Sequence, residues 1–115
     1  MVISEFSRKY FEKIMNDYLE TTRPPAHIRN ELDIGYRIEN QSVELFEIRP
    51  AFRSPKEKIE QGIAKATYVK KAGIWKVYWL RADLKWHRYE PTPEVADLEG
   101  FLAIVDDDHY GCFHG

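Results

Sequence analysis

Apolar and polar positions alternate with a period of two through residues 32–50 and 64–90, and recur at helical spacing near both ends. The clearest alternation is AKATYVKKAGIWKVYWLRADLKWHRYE, residues 64–90, which contains Trp75, Trp79 and Trp86. It reads as three strands joined by two tight turns. A turn centred on Lys71 and Ala72 pairs Val69 with Ile74, Tyr68 with Trp75, Ala66 with Val77 and Ala64 with Trp79. Large residues then face small ones, a pairing that packs without voids. A second turn, centred on Ala82 and Asp83, pairs Trp79 with Trp86 and Tyr78 with His87. Side chains alternate across a strand. One face is therefore expected to hold Ala64, Ala66, Tyr68, Trp75, Val77, Trp79, Leu84 and Trp86 as core. The other holds Lys65, Thr67, Val69, Ile74, Lys76, Tyr78, Leu80, Lys85, His87 and Tyr89, mixing lysines with flat rings.

The remaining elements follow in order. Residues 4–20 predict a helix with Ser4 as N-cap and a stripe of Phe6, Tyr10, Phe11, Ile14, Met15, Tyr18 and Leu19. Thr21-Thr22-Arg23-Pro24-Pro25 ends it, because the residue before proline avoids helical geometry. Residues 26–31 connect. Residues 32–50 form a hairpin with its turn at Asn40-Gln41, pairing Ile38 with Val43, Arg37 with Glu44, Tyr36 with Leu45 and Ile34 with Glu47. The apolar set of the second strand shifts from Val43 and Leu45 to Phe46 and Ile48, so that strand is buried on both faces or bulged. Residues 51–63 read as a polar loop with a short helical turn at 55–61. A second helix is expected from Pro93, capped by Thr92, with Val95, Leu98, Phe101, Leu102 and Val105 inward. It frays at Asp106-Asp107-Asp108, since acids disfavour a helix C-terminus, and the tail HYGCFHG tucks back onto the body. The expected fold is α+β: an N-terminal helix, a five-stranded, mostly antiparallel, meander-like sheet, and a C-terminal helix.

At 115 residues the chain is expected to form one domain spanning 1–115. A single cysteine, Cys112, excludes an internal disulfide and fits a reducing compartment. The charged N-terminus is no signal peptide, and no apolar run reaches the roughly 20 residues of a membrane helix. A cytoplasmic protein with no membrane partner is expected. The net charge of −2 is unevenly spread. Residues 53–89 carry ten Lys/Arg against three Asp/Glu, whereas residues 90–115 carry no Lys/Arg and seven acids. A local positive patch results, unless the acidic end packs beside it and cancels it.

The runs PPAHIR, LDIGYRIENQSVELFEIRP, AKATYVK, WKVYWLRADLKWHRYEP and GCFHG together resemble a family of small bacterial proteins catalogued only as a domain of unknown function. The resemblance spans nearly the whole chain. It implies a compact stand-alone domain and brings no catalytic residue with it.

Three constellations could carry chemistry. Asp33 followed by Glu47 and Arg49 looks like the Asp…Glu-x-Lys pattern of metal-dependent nucleases. Arginine, however, holds its proton too tightly to act as a base, and the hairpin register sends Asp33 and Glu47 to opposite faces. Asp106, Asp107, Asp108, His109, Cys112 and His114 mix hard and soft ligands at spacings that match no structural zinc motif. Neither argues for a catalytic residue, a metal or a cofactor, and the chain reads as a binding domain rather than an enzyme. The third is the outward face of the tryptophan-rich sheet. Lys65, Lys76 and Lys85 with Tyr78, His87 and Tyr89 combine cations for phosphates with rings for bases. Three strands followed by a helix also occur in phage-integrase arm domains, an analogy of fold alone. The reading is a domain that binds single-stranded or duplex nucleic acid. The alternative is a protein-interaction or self-association module, a homodimer included, in which Val69, Ile74 and Leu80 are the working surface.

Overall fold

In a computed structural model, residues 3–54 and 56–113 are described. The first helix, α1, spans Glu5–Thr22. Ser4 sits in extended conformation, and its side chain accepts the Ser7 N–H, satisfying one of the unpaired donors of a helix start. The helix stops at Arg23, which is extended ahead of Pro24. Its buried line runs through Phe11, Met15 and Tyr18, with Met15 fully enclosed. Phe6 and Tyr10, expected in the stripe, are 87% and 57% exposed. At 3.6 residues per turn they fall about a third of a turn or more away from that line.

Strands β1 (Asp33–Glu39), β2 (Ser42–Pro50), β3 (Lys58–Val69), β4 (Ile74–Leu80) and β5 (Trp86–Arg88) form an antiparallel sheet in chain order. A short sixth strand, β6 (Glu94–Val95), also pairs with β4. The β1–β2 register is the expected one, from Ile38 opposite Val43 to Ile34 opposite Glu47. So is the β3–β4 register, from Val69 opposite Ile74 to Ala64 opposite Trp79. Gly73, at φ 66°, supplies the left-handed residue that closes the β3–β4 loop.

Of the segment read as a loop over 51–63, residues 58–63 are strand, and Lys58–Gln61 are extended where a short helical turn was expected. Lys58–Gln61 pair with Glu47–Pro50, so β2 and β3 extend together; Pro55 lies outside the described residues. The bulge foreseen near Phe46 exists, but the extra residue is Ile63, on the partner strand. Beyond it Phe46 pairs with Gly62 and points to the face opposite Leu45. Phe46 is 7% exposed yet outside the core cluster, because it is covered on its own face.

The second helix, α2, spans Leu98–Asp107 and starts later than expected. Its N-cap is Asp97, whose carboxylate accepts the Gly100 N–H at 2.7 Å, and not Thr92. The reason is an edge left vacant. The three residues of β5 pair only with Tyr78–Leu80, and β6 takes up Trp75 and Lys76 on the same side of β4. The Val77 N–H donates to the Pro93 carbonyl. Both helices cover one face of the sheet, where Met15, Leu98, Phe101, Leu102 and Val105 meet Val43, Leu45, Ala64, Ala66, Trp75 and Val77. Burying each large apolar side chain contributes about 1.5–3 kcal/mol. The C-terminal tail does fold back: Phe113 is buried with its ring 4.9 Å from that of Tyr89, and its N–H donates to the Asp108 carboxylate. No helix among the described residues is long and apolar enough to cross a membrane.

Candidate nucleic-acid interface

The face away from the helices is built by alternate residues of β1–β5 and carries the candidate surface. Lys65, Tyr78 and Lys76 lie on it, as the β3–β4 register requires. The other three expected residues do not join them. Loop Ala82–Leu84 holds three residues rather than two: Leu84 donates its N–H to the Arg81 carbonyl and takes φ 62°, and Arg81 donates to the Lys85 carbonyl. This is the three-residue hairpin loop ending in a left-handed residue. One extra loop residue moves every later side chain to the other face. The pairs are thus Leu80–Trp86, Trp79–His87 and Tyr78–Arg88.

The consequences are specific. Trp86, expected in the core, stands on the open face with Tyr78, and Arg88 joins them. His87 sits beside Trp79 on the covered side, where its Nε2 lies 2.8 Å from an Asp83 carboxylate oxygen. Tyr89 is 3% exposed within the core cluster, and burial pushes its hydroxyl pKa up. Lys85 is exposed at the foot of the turn, and Leu84, expected in the core, is 76% exposed.

The centre of the surface is Lys65. Its ammonium lies 5.5 Å from the ring centroid of Tyr78 and 5.3 Å from that of Trp86, within the range of attraction between a cation and a π-face. The indole is placed by a glycine. A Cβ on Gly62 would come within 2.8 Å of the Trp86 ring, so only glycine leaves room for it there. Glu44 stands opposite Lys65, and Glu94 opposite Lys76. Even so, Lys65, Lys76 and Arg88 form no ion pair among the described residues. Sequence reasoning missed Trp86 and Arg88 because the left-handed position falls on Leu84, which is neither glycine, asparagine nor aspartate.

At the other end of the same face, Arg37 covers the Phe46 ring at 4.5 Å and pairs with Glu60. Asp33 accepts two hydrogen bonds at 2.7 Å from Arg23, which holds its carboxyl below the usual aspartate value. Asp33 is opposite Ile48 and Glu47 opposite Ile34, so the two carboxylates point to opposite faces. Glu47 is paired with Arg49. In the last turn of α2, Asp106 accepts the Tyr18 hydroxyl, and in the tail burial pushes the Cys112 thiol pKa up. No group of three or more His, Cys, Asp or Glu side chains converges among the described residues; His114 lies outside them.

The sequence model of the family described as "Domain of unknown function (DUF3024)" matches residues 3–115. No curated protein and no solved structure matches.

Proposed function

We propose, for a chain that belongs to the DUF3024 domain-of-unknown-function family, that its open sheet face binds nucleic acid. The observation that carries this reading is the position of the Lys65 ammonium. It lies within 5.5 Å of the ring centroids of both Tyr78 and Trp86 on the face the helices leave free, and has no ion-pair partner among the described residues. A cation in water beside two rings can exchange its π contacts for a phosphate at little cost, whereas an ion-paired cation must first lose its carboxylate. Arg88 and Lys76 extend the positive surface along β5 and β4. Phosphate binding by such a face releases counterions, so affinity falls with salt.

The test is a titration of oligonucleotides at two salt concentrations beside a sizing measurement. Binding should weaken steeply with salt, and Lys65→Ala should flatten the log–log salt slope by about 0.7–0.9. The competing reading, self-association, draws on Val69, Ile74 and Leu80, which are half-buried on this same face. A salt-insensitive dimer lost in Ile74→Asp, with no oligonucleotide bound at low salt, would replace the nucleic-acid reading.

A further inference from the structure

We infer that the ligand of this face is a single strand, held as a two-base step with one phosphate between the bases. The inference rests on the nucleic-acid reading above and narrows it. Tyr78 is opposite Arg88 and Leu80 opposite Trp86, so Tyr78 and Trp86 are diagonal neighbours on adjacent strands. Diagonal neighbours stand about 7–8 Å apart, close enough for successive nucleotides of one unpaired strand to reach both rings. The Lys65 ammonium lies nearly equidistant from the two centroids, at 5.5 and 5.3 Å, where the phosphate joining two such bases would fall. One cation shared by two rings matches one phosphate shared by two bases.

A duplex cannot use this arrangement. Its bases turn their π-faces to one another, and only backbone and groove edges are presented outward. The two rings would then add nothing, and Lys65 would be one phosphate contact among several. Stacking on aromatic side chains is how single strands are held without sequence readout. The placement of Trp86 also argues for a dedicated platform. A half-buried indole is held in the space above Gly62, beside Leu80, on a face where the helices make no demand on it.

The full chain would be titrated with a short oligothymidylate and with a blunt duplex of two annealed strands of matched phosphate number, at one salt concentration. The single strand should bind at least tenfold more tightly. Trp86→Leu and Tyr78→Leu, which keep apolar bulk without a π-face, should each weaken it by about 5- to 150-fold and leave the duplex unchanged. Trp86→Phe and Tyr78→Phe should retain most of the affinity, which separates a lost stacking surface from a lost fold. Equal binding of the two ligands, or folded leucine variants that bind the single strand as the parent does, would overturn the two-base site while leaving the face as a nucleic-acid surface. Absence of binding by either ligand at low salt would overturn both.

Discussion

The open face of the sheet holds two cations over rings, and they are not equivalent. Arg37 lies over Phe46 and pairs with Glu60, so its charge is answered within the chain. The ring beneath it is 7% exposed and wedged against Gly35, where a Cβ would come within 2.9 Å of it. Lys65 lies over Tyr78 and Trp86, both only half-buried, and meets no carboxylate at ion-pair distance among the described residues. The same chemical motif therefore serves two ends. At β1–β2 it closes a small apolar cluster under a guanidinium. At β3–β5 it leaves cation and rings half-buried, with the cation in no ion pair among the described residues. What separates them is the third group: Glu60 pairs with the cation at one site, whereas Glu44 stands opposite Lys65 at the other without forming an ion pair.

The largest expected difference is in stability. Phe46→Ala removes a buried ring and leaves Arg37 over a void, and should cost about 3–5 kcal/mol in urea unfolding. Lys65→Ala removes a half-buried side chain that forms no ion pair among the described residues, and should stay within about 1 kcal/mol. Similar costs for the two would erase the distinction between a closed and an open site.

Glycine substitutions sharpen the comparison at a smaller scale. Gly35→Ala and Gly62→Ala both drive a methyl group into a ring, at 2.9 and 2.8 Å. Phe46 is enclosed and cannot swing away, so Gly35→Ala should cost about 1–3 kcal/mol of stability. Trp86 is half-buried and can move outward, so Gly62→Ala should cost less stability but disturb oligonucleotide binding. The reverse order in thermal unfolding would mean that Trp86, not Phe46, is the structural ring.

The smallest effect is at the acidic corner of the closed end. Arg23, through its paired hydrogen bonds, holds the Asp33 pKa below the usual value. A depressed folded-state pKa stabilises the fold above the unfolded aspartate value near 4 and loses that stabilisation as pH falls through the folded value. Stability should therefore decline below about pH 4, and Arg23→Ala should shallow that decline. Lys65→Ala, at the open site, should leave the acid limb unchanged. A parallel acid limb in Arg23→Ala would assign the loss to other carboxylates.

Much of this fold was legible because local chemistry specified it. Two hairpins have turns whose residues tolerate left-handed geometry, Asn40 at φ 54° and Gly73 at φ 66°, and both registers follow from the sequence. Ser4 announced the start of α1, and Pro24-Pro25 its end. The candidate site was half legible: Lys65, Lys76 and Tyr78 belong to the hairpin whose turn could be read.

The rest depended on contacts remote in sequence. Leu84 adopts a left-handed conformation that leucine disfavours by roughly 1–2 kcal/mol. The added loop residue is offset by what the shifted register buries, since Tyr89 enters the core and packs against Phe113 with the rings tilted by 42°. No nearby residue encodes that exchange; its benefit lies in a tail more than twenty positions away. The same holds for β6, which forms because β5 is short and leaves backbone groups of β4 unpaired. Alternation along the chain could thus decide that the sheet has an apolar and a basic face. Which of Trp86 and Tyr89 belongs to which face was decided only when the tail and the strand edges met in three dimensions.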